Sequence, residues 1–201
     1  MRNLAWPRAT GTYVHFLDDD DLVPDGYYAV AKAALDSKPC VGLLFGQVEP
    51  FGTCQPEQLQ HERNYFAKAA RNARLCSRFG PKIAFVGWTL FRSALLVGGA
   101  GMVRRDCVAG VGGFDPRMSL IEDTDFFCRV IRASGAHFID RVALHYRIGY
   151  PSLMHAPNPP PEQREAERGG FRHMWSKYRR QHGLLEFYAL AALTRLFLKY
   201  L

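Results

Sequence analysis

The stretch from Tyr13 to Pro24 reads YVHFLDDDDLVP, a short apolar, β-prone run that stops abruptly at four consecutive carboxylates. An apolar run of this length, bounded by a turn signal, is expected to form a buried strand. Asp18, Asp19, Asp20 and Asp21 cannot follow it into the core, because an isolated buried carboxylate is very costly. They belong at the carboxyl end of a central strand, in a crevice or in water, and open α/β sheets bind their ligands there. Asp18, Asp20 and Asp21 offer the hard oxygen donors that Mg²⁺, Mn²⁺ or Ca²⁺ prefer. The plainer reading is a solvated turn in which one Asp caps the helix that follows Pro24. A calcium-binding EF-hand loop is excluded, since Val23 stands where its sixth-position Gly would be and Ala29 where its terminal Glu would be.

A chain of 201 residues, 48% of them hydrophobic, is sufficient for one α/β domain with a sizeable core. Its formal net charge of +7 favours anionic partners such as nucleotide diphosphates, acidic lipid headgroups or nucleic acid. Cys40, Cys54, Cys76, Cys107 and Cys128 are scattered and form no CxxC pair. That argues against a zinc site or a disulfide framework and for a reducing, cytoplasmic compartment. Met1 leads into no apolar leader, and no uncharged apolar run of about 18 residues occurs.

Along the chain, the Ala-rich segment Tyr27 to Asp36 predicts a helix and Val41 to Phe51 a strand. Residues 56 to 78 predict a surface helix with a stripe of Tyr65, Phe66, Ala69 and Ala73 and a solvated basic face of Arg63, Lys68, Arg71, Arg74 and Arg78. Residues 83 to 97 are open between strand and buried helix. Met102 to Asp106 predicts a short strand. The turn from Gly110 to Asp115 does not fit GxGxxG, because Asp115 takes the last glycine position. Ser119 and Glu122 have the spacing of a capping box, opening a helix that Gly135 ends. On that helix Phe126, Phe127, Val130 and Ile131 share one face and Asp125, Arg129 and Arg132 another. Residues 136 to 148 predict one or two strands. The Pro-rich run near residue 158 separates residues 1–157 from a basic, then apolar, helical extension over 158–201. The basic and aromatic run from Arg172 to Arg180 reads as a solvated helix beside a membrane or a diphosphate rather than as a nucleic-acid site. Residues 184–201, apolar on most of the helical circumference, are expected to lie on a membrane surface, on a partner chain or on the domain core.

A second acidic cluster, Glu122-Asp123-Thr124-Asp125, falls at a predicted helix N-terminus, where carboxylates interact favourably with the helix dipole. Packing accounts for Asp123 less well. A carboxylate in a cleft beside a metal site can serve as a general base.

These segments, in order, resemble the C-terminal two-thirds of a family 2 glycosyltransferase with the GT-A fold. Arg2-Asn3-Leu4-Ala5 with Ala9, Gly11 and Tyr13 resembles the approach to the metal-binding strand. Phe16 to Asp21, with Pro24 and Gly26, resembles the DXD region. Gly101 to Arg105, followed by Val111-Gly112-Gly113-Phe114-Asp115, resembles the acceptor-side strand and turn. Glu122 to Phe126, with Arg129, resembles the ED motif, and His145-Tyr146-Arg147 the segment that closes the site. The resemblance covers about residues 2 to 155.

The resemblance implies a GT-A-like mixed sheet flanked by helices, and an inverting, metal-dependent transfer of sugar from a nucleotide-sugar donor to a saccharide or lipid-linked acceptor. Asp18, Asp19 and Arg147 would contact the donor. Asp20, with Asp18, would hold Mn²⁺ or Mg²⁺. Asp123 would deprotonate the acceptor hydroxyl, with Glu122, Gly112 and Gly113 on the acceptor side. Family members begin with further strands that hold the nucleotide base, whereas this chain starts just before the DXD region, which would leave a sheet edge exposed. A fragment, a partner chain supplying that half, and a catalytically incomplete binding or scaffold module all remain open. The first four Asp residues also nearly fit a haloacid-dehalogenase-like phosphatase, with Asp18 as nucleophile. No suitable later Ser/Thr and Lys pair supports that alternative. Peripheral contact at the inner membrane surface through residues 184–201 completes the expectation.

Overall fold

The computed structural model describes residues 1–80, 82–91, 98–149 and 160–197. The second half of the ambiguous 83–97 segment and the end of the C-terminal segment therefore lie partly outside the described residues. Four strands, β1 (Tyr13–His15), β2 (Leu43–Phe51), β3 (Gly101–Arg104) and β4 (Ala136–Arg147), form one mixed sheet in the order β1-β3-β2-β4. β3 runs antiparallel to both β1 and β2, while β2 and β4 are parallel. β1 is at the end of this sheet and not in its middle, and its outer edge has no partner strand among the described residues. The expected central placement is corrected on this point, because the sequence shows a strand's burial but not its neighbours.

Eight helices among the described residues surround the sheet: α1 (Arg2–Ala5), α2 (Tyr27–Asp36), α3 (Pro56–Arg78), α4 (Ile83–Phe91), α5 (Arg105–Gly110), α6 (Glu122–Ser134), α7 (Pro161–His182) and α8 (Leu184–Phe197). Strand alternation sends successive side chains to opposite faces. Leu44 and Met102 pack with Tyr27, Ala31 and Leu35 of α2 on one face. Leu43, Phe45 and Val103 pack on the other with Ala73 of α3, Phe85 and Trp88 of α4, Phe126 and Ile131 of α6, Met174 of α7 and Leu190 of α8. The C-terminal helices thus share the core of the sheet. Trp175 of α7 donates its indole N–H to Leu90 O at 2.7 Å, and Arg132 of α6 forms a bidentate pair with Glu186 of α8 at 2.8 and 3.0 Å.

Three local expectations change. No Asp caps α2: its N-cap is Gly26 in the left-handed region at φ 73°, without a side-chain cap hydrogen bond. The chain leaves β3 at Arg104 and enters α5 at Arg105, so the strand does not continue to Asp106. Ser119 does not cap α6: the helix starts at Glu122, and its N-cap is Ile121 at φ 66°. Ile121 is held in that strained conformation because it is buried and packed beneath Gly170 of α7, where an added Cβ would lie 2.6 Å from Leu120 O and 3.1 Å from Ile121 Cβ.

Candidate functional site

Both acidic clusters lie against the same Gly98–Gly99 backbone and share Arg2. After β1 the chain turns at Asp18, with the Asp21 N–H donating to Asp18 O at 3.3 Å. Leu22 and His145 then exchange backbone hydrogen bonds at 3.0 and 2.8 Å, which clamps the acidic turn to the end of β4. Two residues further on, the Arg147 N–H donates to Asp21 Oδ1 at 2.8 Å and its Nε–H to Asp20 O at 2.7 Å. The Arg147 guanidinium also lies over the Phe51 ring, 4.5 Å from its centroid. The His145–Arg147 segment thus packs directly on the acidic turn.

On the other side, α6 presents Glu122 and Asp123 from its first turn. The connection is made by Gly98 and Gly99, which precede β3. A Cβ on Gly98 would lie 3.2 Å from Asp123 Oδ2, and one on Gly99 would lie 3.4 Å from Asp21 Oδ2. Two consecutive glycines thus let the backbone pass between the two carboxylate groups. The Gly99 carbonyl accepts a hydrogen bond from His15 Nε2 at 2.6 Å. With the proton on Nε2, His15 Nδ1 accepts from the Tyr28 hydroxyl at 3.0 Å, and burial lowers the imidazole pKa, which favours this neutral form.

Arg2 of α1 joins the clusters directly. Its Nη2 pairs with Asp18 Oδ1 at 2.9 Å and its Nη1 with Glu122 Oε1 at 3.1 Å. The helix is held there by Asn3, whose amide donates to Phe114 O at 2.7 Å and accepts from Phe114 N at 2.9 Å. Gly112 and Gly113 build the turn beneath it. Both have positive φ, and a Cβ on Gly113 would lie 2.6 Å from Asn3 Oδ1 and 2.8 Å from Trp6 Nε1. Gly113 thereby lets α1 approach, while Gly112 serves the turn through its left-handed backbone.

The carboxylates differ in environment. Asp18, Asp19 and Asp20 are exposed, whereas Asp21 is 6% exposed. Burial pushes the Asp21 carboxyl up to about 6, against the lowering effect of the Arg147 N–H. Its Oδ2 is buried without a hydrogen-bond partner. Asp21 is thus enclosed by its neighbours, unlike the three exposed carboxylates before it. Burial also raises the pKa of Asp123, opposed by the Thr124 N–H, which donates to Asp123 Oδ1 at 2.6 Å, and by the charge of Arg2. Glu122 is raised by burial and then by its neighbour Asp123. Tyr65 of α3 lies within the field of Asp123; its hydroxyl is pushed up to about 12, first by burial and then by Glu62 and Asp123.

Among the described residues, no group of three or more His, Cys, Asp or Glu side chains converges as a metal cage. Mg²⁺ is commonly held by one or two carboxylates together with substrate phosphates, and does not need such a cage. Asp18 and Asp20, open on one turn, fit that donor set, with Arg2 sharing the Asp18 carboxylate.

Two groups were not legible as site residues from sequence: Arg2, which bridges the clusters, and the Gly98-Gly99 pair between them. Behind the site, Lys177 Nζ pairs with Asp125 Oδ1 at 2.6 Å and Asp115 Oδ2 at 3.1 Å. Arg129 Nε–H bonds Asp125 Oδ2 at 2.9 Å, and Arg117 Nη2 pairs with Asp115 Oδ2 at 2.8 Å. Arg117, then His173 and Lys177, hold the Asp115 carboxyl well below the usual carboxylate range.

The chain is similar in structure to S. aureus TarS, a glycosyltransferase. One TarS crystal structure matches with a TM-score of 0.56 and 15% identity over 89% of this chain and 26% of that chain. A TarS 1–349 crystal structure matches with a TM-score of 0.50 and 15% identity over 90% of this chain and 52% of that chain. The chain therefore spans about a quarter of the one and half of the other. No protein-family model matches the chain, and no curated protein matches it. At this identity the likeness establishes the fold, which is mixed α/β and glycosyltransferase-like.

Proposed function

We propose that this chain carries the metal-binding and acceptor side of a family 2-type glycosyltransferase, which moves a sugar from a nucleotide-sugar donor to an acceptor hydroxyl with inversion. The single observation that carries this reading is the convergence of Asp18–Asp21 and Glu122–Asp123 across Gly98 and Gly99, with Arg2 bridging Asp18 and Glu122. Asp123 is the general base. Its burial raises its proton affinity, which strengthens it as an acceptor of the hydroxyl proton. The acceptor oxygen then bonds the anomeric carbon as the bond to the nucleoside diphosphate breaks on the opposite face. Arg147, beside Asp20, steadies the diphosphate, and Asp18 and Asp19 contact the donor. Glu122 keeps Arg2 between the two clusters. Asp20, with Asp18, would hold Mn²⁺ or Mg²⁺, which when bound supplies positive charge against the departing diphosphate. The acceptor is a saccharide or a lipid-linked saccharide, and a further strand pairing on the outer edge of β1 would complete the base-binding half.

A second reading, a binding or scaffold module that keeps the fold without catalysis, is favoured by the occupation of Asp18 by Arg2. Calorimetric titration with nucleoside diphosphates, with and without Mn²⁺, separates the two. The enzyme reading expects binding that requires the metal and is lost in Asp20→Ala. Metal-independent binding that Asp20→Ala leaves intact contradicts a metal-bridged donor site, and no binding at all favours the scaffold.

A further inference from the structure

We infer that the outward face of α8 is a docking surface for an anionic phospholipid bilayer, which it meets lying flat. This inference uses none of the residues of the carboxylate site and is independent of the catalytic reading. α8 buries Phe187, Leu190 and Thr194 against α4 and α7. A Cβ on Gly87 would meet Thr194, so the two helices approach closely on that side only. On a 3.6-residue period, Leu185, Tyr188, Ala192 and Leu196 fall on the opposite side, with Leu184 and Leu193 flanking them. These are not buried elsewhere: Leu185 is 86% exposed, Leu184 and Tyr188 are each 59%, Leu196 is 51% and Leu193 is 40%. The apolar surface continues past Ala189 and Leu193 into a hollow of about 390 Å³ shared with Ile83 at the start of α4. Scattered exposed leucines are ordinary, but a contiguous apolar helix face marks an interaction site.

Charge selects the partner. Arg195 emerges from the same face of α8, Lys82 lines the hollow, and Arg180 precedes the turn into Leu184. Arg180 and Arg195 make no ion pair among the described residues. The one acid on α8, Glu186, lies toward α6, where Arg132 binds it through both oxygens and Tyr178 donates to it at 2.6 Å. Apolar side chains rimmed by unopposed cations match the boundary between acyl chains and anionic headgroups, and a helix with this partition lies in the interfacial plane. No helix among the described residues is long and apolar enough to cross a membrane. The one acid that lines the hollow, Glu186, is already bound by Arg132 and Tyr178, and like-charged rims oppose pairing with a second copy.

The test uses the whole chain with vesicles of phosphatidylcholine alone and of phosphatidylcholine mixed with phosphatidylserine. Co-sedimentation is expected with the mixed vesicles and not with the neutral ones. The exposed double substitution Leu185→Glu/Leu196→Glu is expected to lower partitioning more than about tenfold. Arg180→Gln/Arg195→Gln is expected to lower it about fivefold per charge. Circular dichroism matching the parent chain confirms that each variant folds. Absence of pelleting, equal pelleting on both vesicles, or unchanged pelleting of the leucine variant overturns the inference. So does a stable dimer of the parent chain in analytical ultracentrifugation that the leucine variant dissociates, which would assign the face to a second copy.

Discussion

Replacing Lys177 with Met removes one cation from two buried carboxylates at once. Lys177 is 9% exposed, Asp115 9% and Asp125 1%, and Nζ stands 3.1 and 2.6 Å from their oxygens. Breaking a buried pair by removing one partner typically costs about 3–5 kcal/mol, because the charge left behind is uncompensated. Here each carboxylate keeps another partner, Arg117 and the His173 ring at Asp115 and Arg129 at Asp125. The lower end of the range, about 3 kcal/mol, is therefore expected. Met fills the space of the lysine stem, so little of this loss is a cavity. Urea unfolding followed by Trp fluorescence is the assay, with an unchanged m-value and a lowered midpoint as the expected outcome. The Asp115 carboxyl is depressed in the folded chain, so its stabilisation is present above the unfolded pKa and is lost as pH falls through the folded value. The acid-induced loss of stability is expected to be smaller in Lys177→Met than in the parent. A loss below about 1 kcal/mol would mean that the network behaves as an exposed one, and would refute the argument from burial.

Asp21 gives the opposite pH dependence. Its folded pKa of about 6 lies above the ordinary carboxylate value of 3.8, so the stability linked to its proton is full below about pH 4 and lost as pH rises through about 6. In metal-free buffer Asp21→Asn is expected to abolish a loss of about 2 kcal/mol over that window, measured as Tm against pH. Gly42 packs where a side chain cannot fit: a Cβ there would overlap Ser134 Oγ and lie 2.7 Å from Cys107 Sγ. Gly42→Ala is expected to cost about 1–3 kcal/mol in urea unfolding, and a neutral outcome would show that Ser134 can turn aside.

Much of the architecture could be read from periodicity and punctuation. The bounds of α2 and α3 agree with the Ala-rich and amphipathic segments, and the Phe126, Phe127, Val130 and Ile131 face of α6 is buried as its spacing required. What escaped was set by distant parts of the chain. The capping-box spacing at Ser119 failed because α7, through Gly170, dictates the backbone at Ile121. β1 was legible as a strand, but its place at the end of the sheet depends on pairing with a segment ninety or so residues away. The two acidic clusters were visible as chemistry, and their adjacency was implied by resemblance. The agents of that adjacency, Arg2 and the Gly98-Gly99 pair, carry no local signal that distinguishes them from any surface arginine or any glycine turn.

The central claim is that the acidic turn and the start of α6 form one site, and paramagnetic relaxation tests it most directly. With the chain isotopically labelled, Mn²⁺ is added together with a nucleoside diphosphate, and amide line widths are followed by NMR. The account predicts selective broadening at Asp19 and Asp20 and, across the cleft, at Gly98, Gly99, Asp123 and Thr124, all abolished by Asp20→Ala. Broadening confined to the Asp18–Asp21 turn, with Asp123 and Thr124 unaffected, would contradict it.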